Sequence, residues 1–424
     1  MSIDPSLLDD LEWRGLIAHS TDLDALREAL GQGSVNFYVG FDPTAPSLHL
    51  GNLVQILTAR RLQDAGHTPY ALVGGATGMI GDPKDSGERT LNTAETVRDW
   101  VERVRRQIEP FLSFEGPNAA TMVNNYDWTK DLSTIDFLRD IGKHFPVNRM
   151  LARDVVRTRL EAGISYTEFS YVLLQSMDYL NLFRDHGVTL QFGGSDQWGN
   201  LTGGVELIRR SEGAKVHAFA TPLITRADGT KYGKTEGGAL WLDPEMMSPY
   251  AFYQFWLNVE DEKVGELLRI FTFLSRDEIE ALEARHAEKP FLRAGQKALA
   301  EHVTALVHGA EETERIKAAS AALFGGGDLT GLSPDTLGAA LREAGVTQVD
   351  AGDGALPTVV DLLVETGLAK SKGEARRTVG EGGAYLNNVR VEDPEQSPGP
   401  DDLIGGAWLV LRRGKKNFAG VEVR

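Results

Sequence analysis

The sequence predicts an α/β chain, in which a doubly wound parallel sheet is followed by a helical domain and a small α+β domain. Three observations lead there. From about residue 33 to 225, short apolar runs alternate with segments of helical period, the pattern of strands joined by crossover helices. From Ser248 to Leu323 the strand pattern disappears. Residues 355–424 then run helix, helix and strands.

VNFYVGF (35–41) and PYALVGG (69–75) read as buried strands, as do LQFGG (190–194) and HAFATPLI (217–224). Between the first two, LVQILTARRLQDAG (53–66) sets Leu53, Ile56, Leu57 and Leu62 on one helical stripe. A helical stretch from about Glu95 to Phe111 and the segment from Leu132 to Gly163 read as additions or an insertion between the two halves. EKVGELLRIFTFLS and ERIKAASAALF are helices of a compact helical domain. The glycine-rich stretch 325–357 reads as a linker holding one short helix, and YLNNVRV (385–391) as a hairpin. The expected organisation is a sheet domain over 1–222 with an insertion near 130–160, a connector at 223–248, a helical domain at 249–323, a linker at 324–354 and a terminal domain at 355–424.

With 44 basic and 61 acidic residues the net charge is −17, which argues against whole-surface binding to nucleic acid or anionic membrane. The charge is unevenly spread: residues 355–424 hold ten of each sign and are neutral, so clustered bases there can still form a local phosphate-binding face. The absence of cysteine excludes disulfides, thiolate catalysis and Cys-ligated zinc. No apolar stretch reaches the roughly 20 residues that cross a bilayer. The start, MSIDPSLLDDLEWRG, has no basic and apolar signal-peptide pattern, and a cytoplasmic location is expected.

Chemistry in a doubly wound sheet gathers outside the carboxyl ends of its strands. Four unusual loops fall there: GFDPTAPSLHLGN, GGATGMIGDPKDSGERT, GGSDQWGN and TRADGTKYGKT. The first delivers His49, Gly51 and Asn52 to a helix start, where free N–H groups and the helix dipole favour phosphate. His49 can donate to a phosphate oxygen and Thr44 adds a hydroxyl; the plainer alternative makes Asn52 a helix cap and His49 incidental. No Walker A pattern and no G-x-G-x-x-G after a strand is present, which disfavours an ordinary P-loop or dinucleotide site. In GTKYGKT, Lys231 and Lys234 lie close enough to repel each other, an arrangement that an anion would relieve.

HLGN resembles the HIGH signature of class I aminoacyl-tRNA synthetases, and KYGKT their KMSKS loop. Together with YVGFDPTAPSLHLGN, GGATGMIGDP, YTEFSYVLLQSMDYL and LQFGGSDQWGN, they resemble the bacterial tyrosyl-tRNA synthetase family over most of the chain. The resemblance implies a Rossmann-like core with an S4-like RNA-binding module at its end. It implies attack of the tyrosine carboxylate on the α-phosphate of ATP, then transfer of the tyrosyl group to tRNA. Lys231, Lys234 and Thr235 would close over the departing phosphates, with Lys84 and Arg89 opposite and Thr44 and His49 assisting. The ATP set also includes Asp42, Gly51, Asn52 and Asp196, the last at the ribose. Tyr171, Gln175 and Asp82 would bind the tyrosine ammonium, Tyr38 and Asp178 the phenol hydroxyl, and Gln191 and Gln197 would make further tyrosine contacts. Spacing alone puts Tyr171, Gln175 and Asp178 on one helical face, which without the resemblance reads as a solvent-facing stripe. Mg2+ is expected with ATP, and no tightly bound cofactor or protein metal site.

Three motif positions depart from the family pattern: Asn52 replaces the second histidine of HIGH, and Tyr232 and Gly233 replace Met and Ser of KMSKS. In the tail, Lys372, Arg376 and Arg377 would contact RNA, by the same resemblance, although composition alone reads them as a solvated helix face. The family is homodimeric and takes tRNA-Tyr as its partner. Three rivals remain open: the sister enzyme for tryptophan, a binding protein with a dead synthetase core, and an unrelated nucleotidyltransferase.

Overall fold

The computed structural model describes residues 3–83, 87, 91–230, 232, 239–325, 327–329, 331–350, 356–414 and 417–424. They form two units, Met1–Met246 with Glu260–Pro290, and Met247–Val259 with Phe291–Arg424.

Among the described residues of the first unit, six strands make one sheet: β1 (His19–Ser20), β2 (Asn36–Phe41), β3 (Thr68–Val73), β4 (Thr121–Asn124), β5 (Val188–Gly194) and β6 (His217–Thr221). Their order is β1-β6-β5-β2-β3-β4. β2 pairs in parallel with both β3 and β5, β4 with β3 and β6 with β5, while the two-residue β1 runs antiparallel to β6. The doubly wound sheet and its four apolar strands therefore match the sequence reading. β1 and β4 are additional; one is too short, and TMVN in the other too weakly apolar, to stand out. The chain winds outward from β2 to β4, then returns to β5 on the other side. β2 and β5 thus flank a switch point, and the crevice at their carboxyl ends is where a ligand fits.

The helix Leu50–Asp64 buries its predicted stripe of Leu53, Ile56, Leu57 and Leu62, but it also buries Gln55, Thr58, Arg61 and Gln63. The reason lies on its far side. Arg61 donates to the carbonyl of Thr272 and lies 4.4 Å from the centre of the Phe273 ring, and Arg14 donates to the carbonyls of Arg269 and Leu274 at 3.0 and 2.9 Å. These bonds satisfy backbone acceptors at and beyond the end of the helix Val264–Phe271 and hold it, with Arg276–Glu288, in the first unit.

The 21-residue helix Tyr166–His186, about 30 Å long, crosses behind the crevice. Ser165 caps its first turn by accepting from the Glu168 N–H at 3.3 Å, and Gly187 ends it in the left-handed conformation at φ 61°. Just before it, the 132–163 segment breaks into short helical pieces ending in Asp154–Arg159. Arg159 bonds the buried Glu168 carboxylate at 3.2 Å, both side chains being almost fully buried, and this fixes the start of the long helix.

The second unit has helices Pro249–Leu257, Ala294–His308, Ala310–Gly325 and Pro334–Ala344. Its sheet orders as β7-β11-β10-β8-β9, with β7 (Val346–Val349), β8 (Ala384–Leu386), β9 (Val389–Arg390), β10 (Trp408–Arg413) and β11 (Asn417–Val423). β7 and the helix before it lie in the stretch read as linker; β7 pairs in parallel with β11. Helices Val359–Glu365 and Lys372–Gly380 pack Val359, Leu362, Leu363, Ala375 and Val379 against Leu409 and Leu411 of β10. The expected hairpin is present: Asn387 and Asn388, at φ 49° and 66°, supply the two left-handed residues of a tight turn between β8 and β9. No helix among the described residues is long and apolar enough to cross a membrane.

Candidate active site

At the carboxyl end of β2, Phe41 hands the chain to Asp42, whose two oxygens organise the floor of the crevice. Oδ1 accepts from the Thr77 hydroxyl at 2.6 Å and Oδ2 from the Tyr171 hydroxyl at 2.7 Å. The approach is close enough to require glycine: a Cβ on Gly74 would fall 2.0 Å from Asp42 Oδ1 and 2.3 Å from Thr77 Oγ1. Gly75 has a similar reason, with Asn124 Oδ1 at 2.3 Å. Here Gly74 serves close packing of the carboxylate and Gly75 that of the Asn124 amide.

Asp178 lies two helical turns beyond Tyr171, 3 % exposed, so the stripe at 171, 175 and 178 faces inward. Asn125 donates to its Oδ2 at 3.0 Å and the Trp128 indole to its Oδ1 at 2.9 Å. Burial pushes the carboxyl up to about 7 against these two donors, with the Asp42 charge adding to the rise. Asn125 is itself fixed: its Oδ1 accepts from the Ala76 N–H at 2.7 Å, so its amide nitrogen must face Thr77 and Asp178. Sequence reasoning missed Asn125 and Trp128. Both follow β4, the short strand that carried no pattern, and their roles arise only when β4 joins the sheet.

Tyr38 stands beside Gln191, its register partner on β5. Both are about 2 % exposed, and among the described residues neither the Tyr38 hydroxyl nor Gln191 Oε1 has a hydrogen-bond partner. Gln175 Oε1 is likewise buried without one. Desolvation, followed by the Asp178 charge, pushes the Tyr38 phenol up. Tyr171 is pushed up first by burial and then by Asp42, Asp82 and Asp178, three carboxylates converging on one side chain. Orphaned polar atoms of this kind are costly, roughly 1–3 kcal/mol each, and mark a surface shaped for a polar ligand.

Asp82 lies within the second loop. Its Oδ2 accepts from Gln197 at 2.9 Å and its Oδ1 from Asn200 at 3.1 Å. Asp196, beside Gln197 in chain, is exposed, with Oδ1 over Gly194. A further residue that the sequence reading passed over is Gln55, one turn along the helix from Gly51. Its amide donates to Thr221 at 2.6 Å, and its buried Oε1 has no partner among the described residues.

At the start of that helix, His49 is the N-cap: Nδ1 accepts from the Gly51 N–H at 3.1 Å, which places the neutral ring's hydrogen on Nε2. Asn52 Oδ1 accepts from the His49 N–H at 3.0 Å and completes a capping box. Asn52 is therefore the third helical residue, and the cap is His49 itself. Thr44, His49 and Gly51 are exposed at the crevice mouth.

Lys84, Arg89, Lys231, Lys234 and Thr235 lie outside the described residues. Their neighbour Tyr232 is anchored by its N–H to the Ile224 carbonyl at 3.2 Å, with the Arg226 guanidinium 5.5 Å from its ring centre. In the second unit, Lys372, Arg376 and Arg377 are exposed on one helix; Lys372 pairs with Asp361 at 2.6 Å and Arg376 with Glu395 at 3.0 Å. Among the described residues no cluster of three or more His, Asp or Glu is placed to hold a metal ion.

Residues 31–325 match the family model for class I tRNA synthetases of the W and Y type, and 341–421 match the tyrosine–tRNA ligase SYY-like C-terminal domain. The tyrosine–tRNA ligase of Streptomyces coelicolor is 63 % identical over 98 % of this chain and 99 % of its own. The chain belongs to the tyrosine–tRNA ligase family. Another of these ligases, from Thermobifida fusca, is 58 % identical over 99 % of both chains. Among solved structures, a C-terminally truncated mitochondrial tyrosyl-tRNA synthetase of Aspergillus nidulans covers 75 % of this chain and 94 % of its own, at 29 % identity and TM-score 0.69. A Plasmodium falciparum tryptophanyl-tRNA synthetase, at 15 % identity and TM-score 0.54, shares the fold. Tyrosine–tRNA ligases thus match along the whole chain, terminal domain included.

Proposed function

We propose that this chain joins L-tyrosine to tRNA-Tyr in two steps, forming tyrosyl-adenylate and pyrophosphate from tyrosine and ATP, then transferring the tyrosyl group to the tRNA 3′ end. Family membership supports the reaction. The single observation that carries the amino-acid reading is the inward face of Tyr38, Tyr171, Gln175 and Asp178, with three carboxylates around Tyr171. An ammonium group suits that anionic bowl. A phenol hydroxyl suits the far end, where it can donate to Asp178 and accept from Tyr38. An indole N–H could satisfy the acceptor but would leave the Tyr38 donor unpaired.

The tyrosine carboxylate is already a nucleophile, so the first step calls for alignment and charge neutralisation rather than a general base. Tyr171, Gln175, Asp82 and Gln197 hold the amino-acid end. The start of the helix Leu50–Asp64, with His49 Nε2–H and Thr44, receives phosphate oxygens as negative charge moves onto the leaving pyrophosphate. Lys84, Arg89, Lys231, Lys234 and Thr235 supply the cationic closure. Contacts of that kind, made mainly in the transition state, raise the rate without overbinding ATP. Mg2+ enters with ATP as part of the substrate.

The chain acts as a cytoplasmic homodimer in this reading. Ile135, Leu138, Val147, Leu151, Leu160 and Tyr166 are 38–68 % exposed, a density of apolar side chains that a partner subunit would cover. Lys372, Arg376 and Arg377 face RNA from the terminal domain.

ATP–pyrophosphate exchange with each amino acid in turn tests the proposal. Exchange with tyrosine alone supports it. Exchange with tryptophan alone would move the chain to the sister activity, and none at all would leave a binding protein.

A further inference from the structure

Arg153 precedes the short helix Asp154–Arg159, outside every motif that carries the family resemblance. Its Nη2 donates to Asn200 Oδ1 at 2.6 Å. The guanidinium sits against Gly199, where a Cβ would meet Nη2 at 2.6 Å, so the start of the helix Trp198–Ser211 is cut away to seat it. Asn200 is 5 % exposed, and its Nδ2 donates to Asp82 Oδ1 at 3.1 Å and to Gln197 Oε1 at 2.8 Å. Gln197 Nε2 in turn donates to Asp82 Oδ2 at 2.9 Å.

The order of donors in this chain is held from two ends, the acceptor-only Asp82 carboxylate and the donor-only Arg153 guanidinium. An amide has a donor end and an acceptor end of similar shape, and either fits a given slot. A guanidinium only donates. With Arg153 against Asn200, the amide oxygen must face Arg153 and the nitrogen must face Asp82 and Gln197. Gln197 then receives on Oε1 and gives with Nε2. Without Arg153, the Asn200 oxygen loses its donor, and the amide that orients Gln197 and bonds Asp82 is held from one end only.

We propose that Arg153 and Asn200 are positioning residues that fix the donor order around Asp82 and Gln197 and so set the affinity for the tyrosine amino-acid end. This rests on the assignment of Asp82 and Gln197 to tyrosine made above.

The test is pyrophosphate exchange by the full-length protein, with KM for tyrosine and for ATP measured separately. Arg153→Met keeps the aliphatic packing and removes the donor; KM for tyrosine rises roughly 10- to 100-fold, the range of a lost charge-assisted bond, while KM for ATP stays within twofold. Asn200→Ala produces a rise at least as large. The double variant is no worse than Asn200→Ala alone, because the hydrogen bond by which Arg153 orients the pair goes to Asn200. A loss of packing at two separate places would instead add. An unchanged tyrosine KM in either single variant, or additive losses in the double, overturns the proposal. If Arg153→Met fails to fold, Asn200→Ala alone decides. Asp82→Asn in the same assay separates the two claims: no rise there defeats the assignment of Asp82, whereas a rise there with none in Asn200→Ala defeats only the relay.

Discussion

Asp178 is held by two donors yet buried so deeply that its carboxyl is pushed up to about 7. Binding and stability then respond to pH in opposite directions. As the phenol acceptor proposed above it would work when ionised, so kcat/KM for tyrosine should fall as the pH drops below about 7, the limb that reports the free protein. Replacing Asn125 with Ala removes a bond that lowers the pKa, and the midpoint moves to higher pH; a profile flat down to pH 6 would contradict this. For folding, the native carboxyl holds its proton more tightly than an ordinary one at 3.8. This group therefore opposes folding increasingly as pH rises from about 4 to about 7 and adds nothing further above that. Gly74 makes a separate prediction. Gly74→Ala drives a methyl into Asp42 and Thr77, and overpacking of this kind costs about 1–3 kcal/mol, read as a lower denaturation midpoint together with weaker tyrosine binding.

Much at this scale was legible because helical spacing is local: residues 171, 175 and 178 had to share a face whatever the rest of the chain did. Which way that face turned was not. Three polar residues read equally well as a solvent stripe, and only the packing of Tyr166–His186 against the sheet makes them a lining. Asn125, Trp128, Asn200 and Arg153 were invisible because their bonds to Asp178, to Asp82 and to one another span 47–118 residues in chain.

At the scale of elements, apolar periodicity found the four strands that form the centre of the sheet and missed β1 and β4 at its edges. Edge strands bury less and need less pattern. The helix Leu50–Asp64 shows the converse. Its stripe was readable, but Gln55, Thr58, Arg61 and Gln63 are buried as well because a second layer covers the other side through Arg61 and Arg14. The Asn387-Asn388 turn gives a prediction here. Asn388 is left-handed and donates to the Gly327 and Ala322 carbonyls at 2.7 and 3.1 Å. Asn388→Ala loses both bonds and is strained at positive φ, a destabilisation of about 1–3 kcal/mol. Asn388→Gly relieves the strain but not the lost bonds and falls between. Chemical denaturation of the two variants should rank them in that order; equal midpoints would contradict it.

For the whole molecule, the chain has two charge regimes. The excess of acidic residues lies before residue 355, and the neutral tail carries Lys372, Arg376 and Arg377 on one exposed helix. Lys372 and Arg376 are offset by Asp361 and Glu395, so Arg377 is the sharper probe. Arg377→Glu should raise KM for tRNA and flatten its salt dependence, while tyrosine-dependent exchange stays unchanged. The exposed apolar side chains of 135–166 set a second prediction: Val147→Asp should shift the molar mass by light scattering from dimer to monomer. A dimer that survives would place the partner elsewhere.

We propose that the buried polar pair at the phenol end decides which amino acid is accepted, and the most direct measurement is the ratio of kcat/KM for tyrosine over phenylalanine in the unaltered chain and in Asp178→Ala. The unaltered chain should favour tyrosine strongly, because phenylalanine leaves Asp178 and Tyr38 buried without their partner. Truncation to Ala should shrink that ratio at least tenfold, chiefly by weakening tyrosine. A ratio unmoved by the substitution would contradict the account.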